Sequence, residues 1–482
     1  DFRLRSEQAP PEERAEAAAE PPSLLRDDPR WRLFWKPDRA FAVPKASVKI
    51  FLWLPEETVD EDAVPSRLWQ LALVDHLSEP LYDAGPAGLN FDVSTAIEGV
   101  SLQFAGYSDK LVLLVERVLA SIRDFDGPSK EEFGRALDII QREQRSFDKQ
   151  QPLQYAAYLS RLCVLAPEYS IEFLRREASR VTPEQGRAFA SKFRSQRQEA
   201  FGQALLHGNL DQAAASRLQS ALDKLPFRAL PRERLTRSRL TQLPPGRDNW
   251  LLRPGLNPDE ANNALVCLYY TGLGAEAAVM TQLLQSIIQD PFFGRLRTEQ
   301  QLGYIVQSQA DRVAFVGRLA LAIQSSVATP DALLAAVDEF LRGFRSTLAN
   351  LPAAEFAAYK VALVERIVKP DERLGEETVR WWEEISLFQY SWRRRSEESQ
   401  IVLGITKERL LAFFDELIAQ GGAKRRRLVS AVFAEGPGRE AAVAAMRARG
   451  EALGATIIDD PDTFRAGLPR WPLQDRGPKD SL

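Results

Sequence analysis

Apolar and polar positions follow two periods along this chain. Residues 46–54 (ASVKIFLWL) form a short, nearly continuous apolar run of the kind that makes a buried strand. From about Pro65 to Tyr82, Leu68, Leu71, Val74, Leu77 and Leu81 recur at three- and four-residue spacing, which predicts a helix with one apolar face. A glycine-containing turn leads into residues 88–107 (GLNFDVSTAIEGVSLQFAGY), which alternate as a β-hairpin does. A helix is expected around 110–122. Gly127-Pro128-Ser129 opens another, with Ser129 and Glu132 spaced as a capping box.

The same succession returns about 210–225 residues later. Residues 263–270 (NALVCLYY) read as the strand and 276–297 as the helix. Residues 303–326 read as the hairpin and 331–344 as the next helix. Residues 181–193 and 405–417 each open on a threonine followed by acidic or amide residues, and each leads back to a strand, at 203–209 and 428–436. Between the copies, Leu230–Arg247 is basic, holds three prolines and shows no apolar face. Pro244-Pro245-Gly246 cannot continue a helix or a central strand. The expected fold is therefore α+β. Two homologous two-layer domains, each an antiparallel or mixed sheet covered by helices, occupy residues 29–241 and 242–482. Residues 1–28, rich in Glu, Ala, Arg and Pro, read as a solvated arm or linker.

Bulk properties narrow the function. With 482 residues, 45% of them hydrophobic and 27% charged, the chain is that of a globular protein. A net charge of −4 supplies no field for wrapping nucleic acid. No apolar run reaches the roughly 20 residues needed to span a bilayer, and no secretory leader is visible. Cys163 and Cys267 lie in apolar stretches and read as buried free thiols in a reducing compartment. A cytoplasmic location is expected. The chain begins at Asp1 without an initiator methionine and reads as part of something longer.

Candidate chemistry is mostly excluded. The two histidines, His76 and His207, have no second histidine at ligand spacing, so three zinc ligands are not available. Neither H-E-x-x-H nor H-x-x-E-H occurs, nor a nucleophile elbow, nor a phosphate-binding glycine loop. Lys424-Arg425-Arg426-Arg427 reads as a solvated loop. Trp392-Arg393-Arg394-Arg395 reads as the surface closure of an apolar helix. Glu383 and Glu384 are adjacent, point about 100° apart on a helix and cannot form a catalytic pair.

One segment is far more specific: Pro291-Phe-Phe-Gly-Arg-Leu-Arg297-Thr-Glu-Gln-Gln-Leu-Gly303-Tyr304-Ile-Val. It resembles the LRT-x-EQLGY-x-V motif in the C-terminal half of the pitrilysin and insulin-degrading-enzyme family of zinc metallopeptidases, departing at Gln300, where the family has Glu. Residues 30–50, 81–110, 204–210 and 381–390 are similar to family segments in the same order, so the resemblance covers roughly residues 1–436.

The resemblance implies four related α+β domains in the whole enzyme, of which this chain carries the third and fourth. It implies that zinc belongs to the N-terminal half, with no cofactor in this chain, and that the two halves close around a chamber for peptides. Arg297 and Tyr304 are implied to reach across to the catalytic centre, and Phe293 to line the pocket beside the scissile bond. The metal assignment for this chain is none. The implied partners are the N-terminal catalytic half, whether in the same chain or as a separate subunit, and peptide substrates. A homo-oligomer is compatible with this; nucleic acid and membrane are not among the partners. The alternative is an inactive family member serving as a peptide-binding or scaffold subunit. At Val368–Leu374, which matches a lysine-rich family segment, Asp371 and Glu372 replace basic residues, so polyanion activation is not expected.

Overall fold

The computed structural model describes residues 3–5, 8–195 and 198–478; Asp1 and Phe2 lie outside them. The first half contains β1 (Ser23–Asp27), β2 (Trp31–Pro37), β3 (Lys45–Trp53), α1 (Val59–Ser78), β4 (Leu89–Ala96), β5 (Gly99–Tyr107), α2 (Ser108–Asp124), α3 (Lys130–Phe147), α4 (Pro152–Val164), α5 (Pro183–Ser191), β6 (Glu199–Gly208) and α6 (Gln212–Asp223). The second contains β7 (Arg247–Pro254), β8 (Asn263–Leu273), α7 (Gly274–Phe293), β9 (Ile305–Val313), β10 (Val316–Ser325), α8 (Pro330–Asn350), α9 (Ala353–Val368), α10 (Leu374–Ser386), α11 (Arg394–Gly404), α12 (Lys407–Leu417), β11 (Arg426–Phe433), α13 (Arg439–Ala452) and β12 (Thr456–Ile457). Among the described residues no helix is long and apolar enough to cross a membrane.

The repeat read from the sequence reappears as sheet topology. The first sheet runs β1-β2-β6-β3-β5-β4 and the second β9-β10-β8-β11-β7-β12. Stripped of β1 and β12, the two orders coincide, β2-β6-β3-β5-β4 against β7-β11-β8-β10-β9. Even the parallel pair is shared: β2 lies parallel to β6, and β7 to β11. The fold is α+β with mixed sheets, as the alternation of hairpins and helices implied.

Local signals account for the elements. Ser129 and Glu132 form the expected capping box at the start of α3, and Thr182 and Gln185 form a second at α5. Helix α1 starts at Val59, earlier than its apolar spacing suggested. Asp60, Glu61 and Asp62 fill its first turn, where carboxylates complement the helix dipole. In α2, Leu111, Val115, Val118 and Ile122 recur at helical spacing and pack on Ile50, Leu102 and Phe104 of the first sheet. Leu283, Leu284, Ile287 and Ile288 of α7 do the same on Leu265, Leu321 and Ile323 of the second.

The opposite face of each sheet is covered by the other half. Trp381 and Ile385 of α10, with Phe388, Tyr390 and Trp392 after it, pack on Phe34, Trp53, Phe201 and Leu205 of the first sheet. Tyr155, Ala156, Leu159 and Cys163 of α4 pack on Ala264, Val266, Leu268 and Leu428 of the second.

Two sequence expectations change here. The linker was read as having no apolar face, yet Leu230, Leu235, Leu240 and Leu243 are all buried, the first pair under α10 and the second under α4. Their spacing fits neither a helix nor a strand because the segment winds along the seam between the halves. Residues 1–28 were read as solvated. In fact β1 pairs antiparallel with β2, Ala9 and Ala17 are buried, and Lys36 Nζ donates to the Ala17 carbonyl at 2.8 Å.

Candidate functional site

The end of α7 carries the three residues singled out in the sequence. Phe292 and Leu296 are fully buried and anchor the segment, Phe292 meeting Phe340 edge-on at 5.2 Å. Beyond Phe293 the chain does not stop but widens into a π-helical turn over Gly294–Glu299, a distortion that recurs at functional sites. The turn closes on itself: Gln300 N donates to Arg295 O at 3.0 Å, and Leu302 N to Leu296 O at 3.0 Å. Gln301 then adopts a left-handed conformation (φ 53°), and the chain reverses toward β9. At the reversal, Gly303 passes so close to β10 that a Cβ would lie 2.1 Å from the Gln324 carbonyl oxygen. Only glycine fits there.

This reversal brings Arg297 and Tyr304 together. The Arg297 guanidinium carbon lies 5.0 Å from the centroid of the Tyr304 ring, a cation–π stack. Tyr304 is 85% exposed and Phe293 48% exposed, both high for aromatic residues. Neighbouring Arg295 is tied to Glu299 at 2.6 Å. Among the described residues no carboxylate pairs with Arg297 and no hydrogen bond engages the Tyr304 hydroxyl. The site therefore presents a guanidinium fork and a phenol donor beside an exposed aromatic ring. Such donors can stabilise charge developing on a carbonyl oxygen. In open water their effect is small, and it grows only when a second surface excludes solvent.

The histidines serve structure. His76 lies on α1 beside Phe125 (ring centroids 5.1 Å apart) and 3.6 Å from Glu132. His207 is fully buried on β6, with Nδ1 2.7 Å from the Thr378 hydroxyl and Nε2 3.4 Å from Glu377 of α10. Lys36 Nζ approaches the other oxygen of Glu377 at 3.3 Å. Burial would push the Glu377 carboxyl up; the nearness of His207, the charge of Lys36 and the indole N–H of Trp381 outweigh it and hold it below the usual range. Each histidine sits alone, and among the described residues no group of three or more His, Cys, Asp or Glu could hold a metal. The residues present do not fit a zinc site.

The basic runs are also structural. Lys424–Arg427 was expected to be a solvated loop, but Arg425 and Arg427 are buried and both pair with Asp248, while Arg427 also reaches Asp338. Their carboxylate partners lie about 90 and 180 residues away in sequence, so no local pattern announces them. Arg394 is bound by Glu384 at 2.9 Å and Arg395 by Asp371 at 2.7 Å, which closes α10 as expected. Within the 368–374 stretch Lys369 pairs with Glu372 at 2.7 Å, while Asp371 binds Arg380 and Arg395 outside it, each at 2.7 Å. Cys163 and Cys267 are buried free thiols, each pushed up to about 12 by burial.

Comparison with known proteins is consistent with this layout. The family profile "middle or third domain of peptidase M16" matches residues 1–177, and "PQQ synthase PqqF-like, C-terminal lobe domain 4" matches residues 283–382. Insulin-degrading enzyme of Bos taurus is 30% identical over 415 residues, covering 84% of this chain and 40% of its own length. Both halves of the chain are thus similar to M16 peptidases. Another M16 relative, the peroxisomal insulin-degrading enzyme-like 1 of Arabidopsis thaliana, is 28% identical over 86% of this chain and 43% of its own. Pitrilysin shares the fold with a TM-score of 0.82 at 19% identity, over 98% of this chain and 48% of that one. An M16 structure from Pseudomonas fluorescens, titled an inactive domain, shares it at 0.62 and 11% identity, over 87% of this chain and all of that one. The chain thus spans less than half the length of the full-length M16 relatives it matches.

The sequence singles out Phe293, Arg297 and Tyr304 by resemblance alone, and the structure brings the last two together. Not singled out there are the steric role of Gly303 and the row of Gln282, Gln285 and Gln289 on α7. The signal for that row was present: amides at i, i+3 and i+7 in an otherwise apolar helix mark one polar stripe.

Proposed function

We propose that this chain is the non-catalytic C-terminal half of a zinc-dependent endopeptidase that degrades peptides and small unfolded proteins. In this reading residues 29–241 and 242–482 are its third and fourth domains, residues 1–28 lead into them, and zinc is held by a separate N-terminal half. Its own residues do three things. Arg297 and Tyr304 donate hydrogen bonds to the scissile carbonyl oxygen as it gains negative charge. Phe293 gives the adjoining substrate side chain an apolar contact. Closure of the two halves removes water and so strengthens both donors. The reading is carried by the Arg297–Tyr304 stack, a cation without a carboxylate partner held against a highly exposed phenol. Two buried, unpaired thiols fit a cytoplasmic setting.

Mixing the chain with a zinc-bearing half of the same family tests this. Cleavage of a quenched fluorescent peptide is expected in the mixture and absent with this chain alone. Arg297→Ala and Tyr304→Phe should each lower kcat roughly 100-fold, with an unchanged unfolding midpoint, because neither side chain is part of the core. Unchanged turnover in both variants would leave the chain a peptide-binding or scaffold subunit.

A further inference from the structure

The strand that follows Tyr304 has an open side. Strand β9 is the edge of the second sheet, and among the described residues β10 is its one strand partner. The hairpin between them turns on Ala314 and Phe315, both at positive φ (46° and 69°), so Val313 and Val316 are the hydrogen-bonded pair beside the turn. Counting back by twos, Asp311, Gln309, Gln307 and Ile305 direct their N–H and C=O groups at β10. Those of Arg312, Ala310, Ser308 and Val306 point away, to the open edge. Gln285 Nε2 meets the Ser308 carbonyl at 3.1 Å, which agrees with the count. A groove of about 480 Å³ lies along this edge, walled by Gln282, Gln285 and Gln289 of α7, by Arg366 of α9 and by Arg395 of α11.

We infer that this edge receives a polypeptide in extended conformation as an added strand, entering at Tyr304 and running toward Arg312. Three observations select a peptide. The edge begins at the residue that carries the exposed phenol, so a chain in contact with Tyr304 passes directly onto β9. One side of the wall, on α7, carries three neutral amides, which match backbone amides in either direction, facing Arg366, Arg395 and Glu398 on the other; the Gln285 side chain already stands where an incoming N–H would donate. The edge also lies in a groove between α7, α9 and α11 and is not a flat rim, which suits one added strand better than a second sheet edge. The groove itself touches Ser308, Gln309 and Ala310, while Arg312 is paired with Glu398 of α11 at 2.6 Å; the nine residues of β9, about 30 Å, set the upper limit of the contact. Main-chain hydrogen bonds then supply affinity without a strict sequence requirement. Only the entry point rests on the reading of Arg297 and Tyr304 given above; the open edge does not.

The test uses the full chain and a fluorescein-labelled, unstructured twelve-residue peptide of Ser, Thr, Gln and Val, followed by anisotropy and amide hydrogen exchange. Saturating peptide should slow exchange about tenfold or more at Val306, Ser308, Ala310 and Arg312 and leave Gln307, Gln309 and Asp311 unchanged. Ala310→Pro, which removes an outward N–H that β10 does not use, should weaken binding about tenfold at an unchanged unfolding midpoint. Should that variant misfold, peptides N-methylated on alternate residues decide: one parity binds and the other does not. Absence of binding, binding that leaves the even-numbered amides unprotected, or protection of those amides in a peptide-free dimer would each overturn the inference. Because the readout is binding by this chain alone, it stands or falls separately from the turnover of the Arg297 and Tyr304 variants.

Discussion

Single residues hold the site in place, and their effects can be ranked by what surrounds them. Gly303→Ala places a methyl group 2.1 Å from the Gln324 carbonyl oxygen, so either β10 or the chain carrying Tyr304 must move. A loss of about 1–3 kcal/mol is expected from overpacking. On the proposed reading of Arg297 and Tyr304, turnover in a reconstituted enzyme should fall further than this stability loss explains, because their stack is displaced; a denaturant titration beside a kinetic assay separates the two. Asp248 is a different case. It accepts from both Arg425 and Arg427, and although burial opposes its charge, those two guanidiniums hold its carboxyl below the usual range. Asp248→Asn leaves two buried cations with Asp338 as their remaining counter-charge and should cost about 3–5 kcal/mol, read as a lowered denaturant midpoint.

Elements carry the next level, and here the limits of the sequence are clearest. The strands, hairpins and capping boxes were legible because each is encoded within about twenty contiguous residues, as Ser129 with Glu132 or the alternation over residues 88–107 illustrates. What α10 packs against was not legible. Its apolar face announces burial, but nothing local says that Trp381 and Ile385 belong to a sheet whose strands lie about 180 to 350 residues upstream. The same holds for α4 and for the leucines of the linker. The site divides in the same way: Arg297 and Tyr304 were marked by their motif, whereas their stacking depends on the π-turn and on Gln301, which no periodicity encodes. Trp381→Ala should therefore behave as a core truncation in the first sheet although it lies in the second half. It removes the ring packed with Trp392 at 5.7 Å and the indole donor to Glu377 at 3.0 Å. A loss of about 3–5 kcal/mol is expected, with near-ultraviolet circular dichroism reporting the loosened aromatic cluster.

For the whole molecule, the exchange of α4 and α10 makes each half the cover of the other. Neither sheet is buried on both faces without its counterpart, so heating should unfold the chain in one calorimetric transition. On the reading proposed above, any opening and closing belongs between this chain and a partner half, and the seam within this chain should act as a rigid joint. That joint has a pH dependence that can be signed. Glu377 of the second half faces Lys36 of β2 and His207 of β6 across the seam, with Thr378 and Trp381 beside it on its own helix. Its folded carboxyl sits below the ordinary range, while in the unfolded chain it titrates near about 4.3. Between those two values the unfolded state binds the extra proton, so the contribution is complete above the unfolded value and is lost as the pH falls through the folded one. Stability should therefore decline on acidification below about pH 5. Glu377→Gln keeps the shape but cannot ionise: the variant should be less stable at neutral pH and should lose less on acidification. Parallel pH profiles for wild type and Glu377→Gln would show that the seam is not held by this ion cluster.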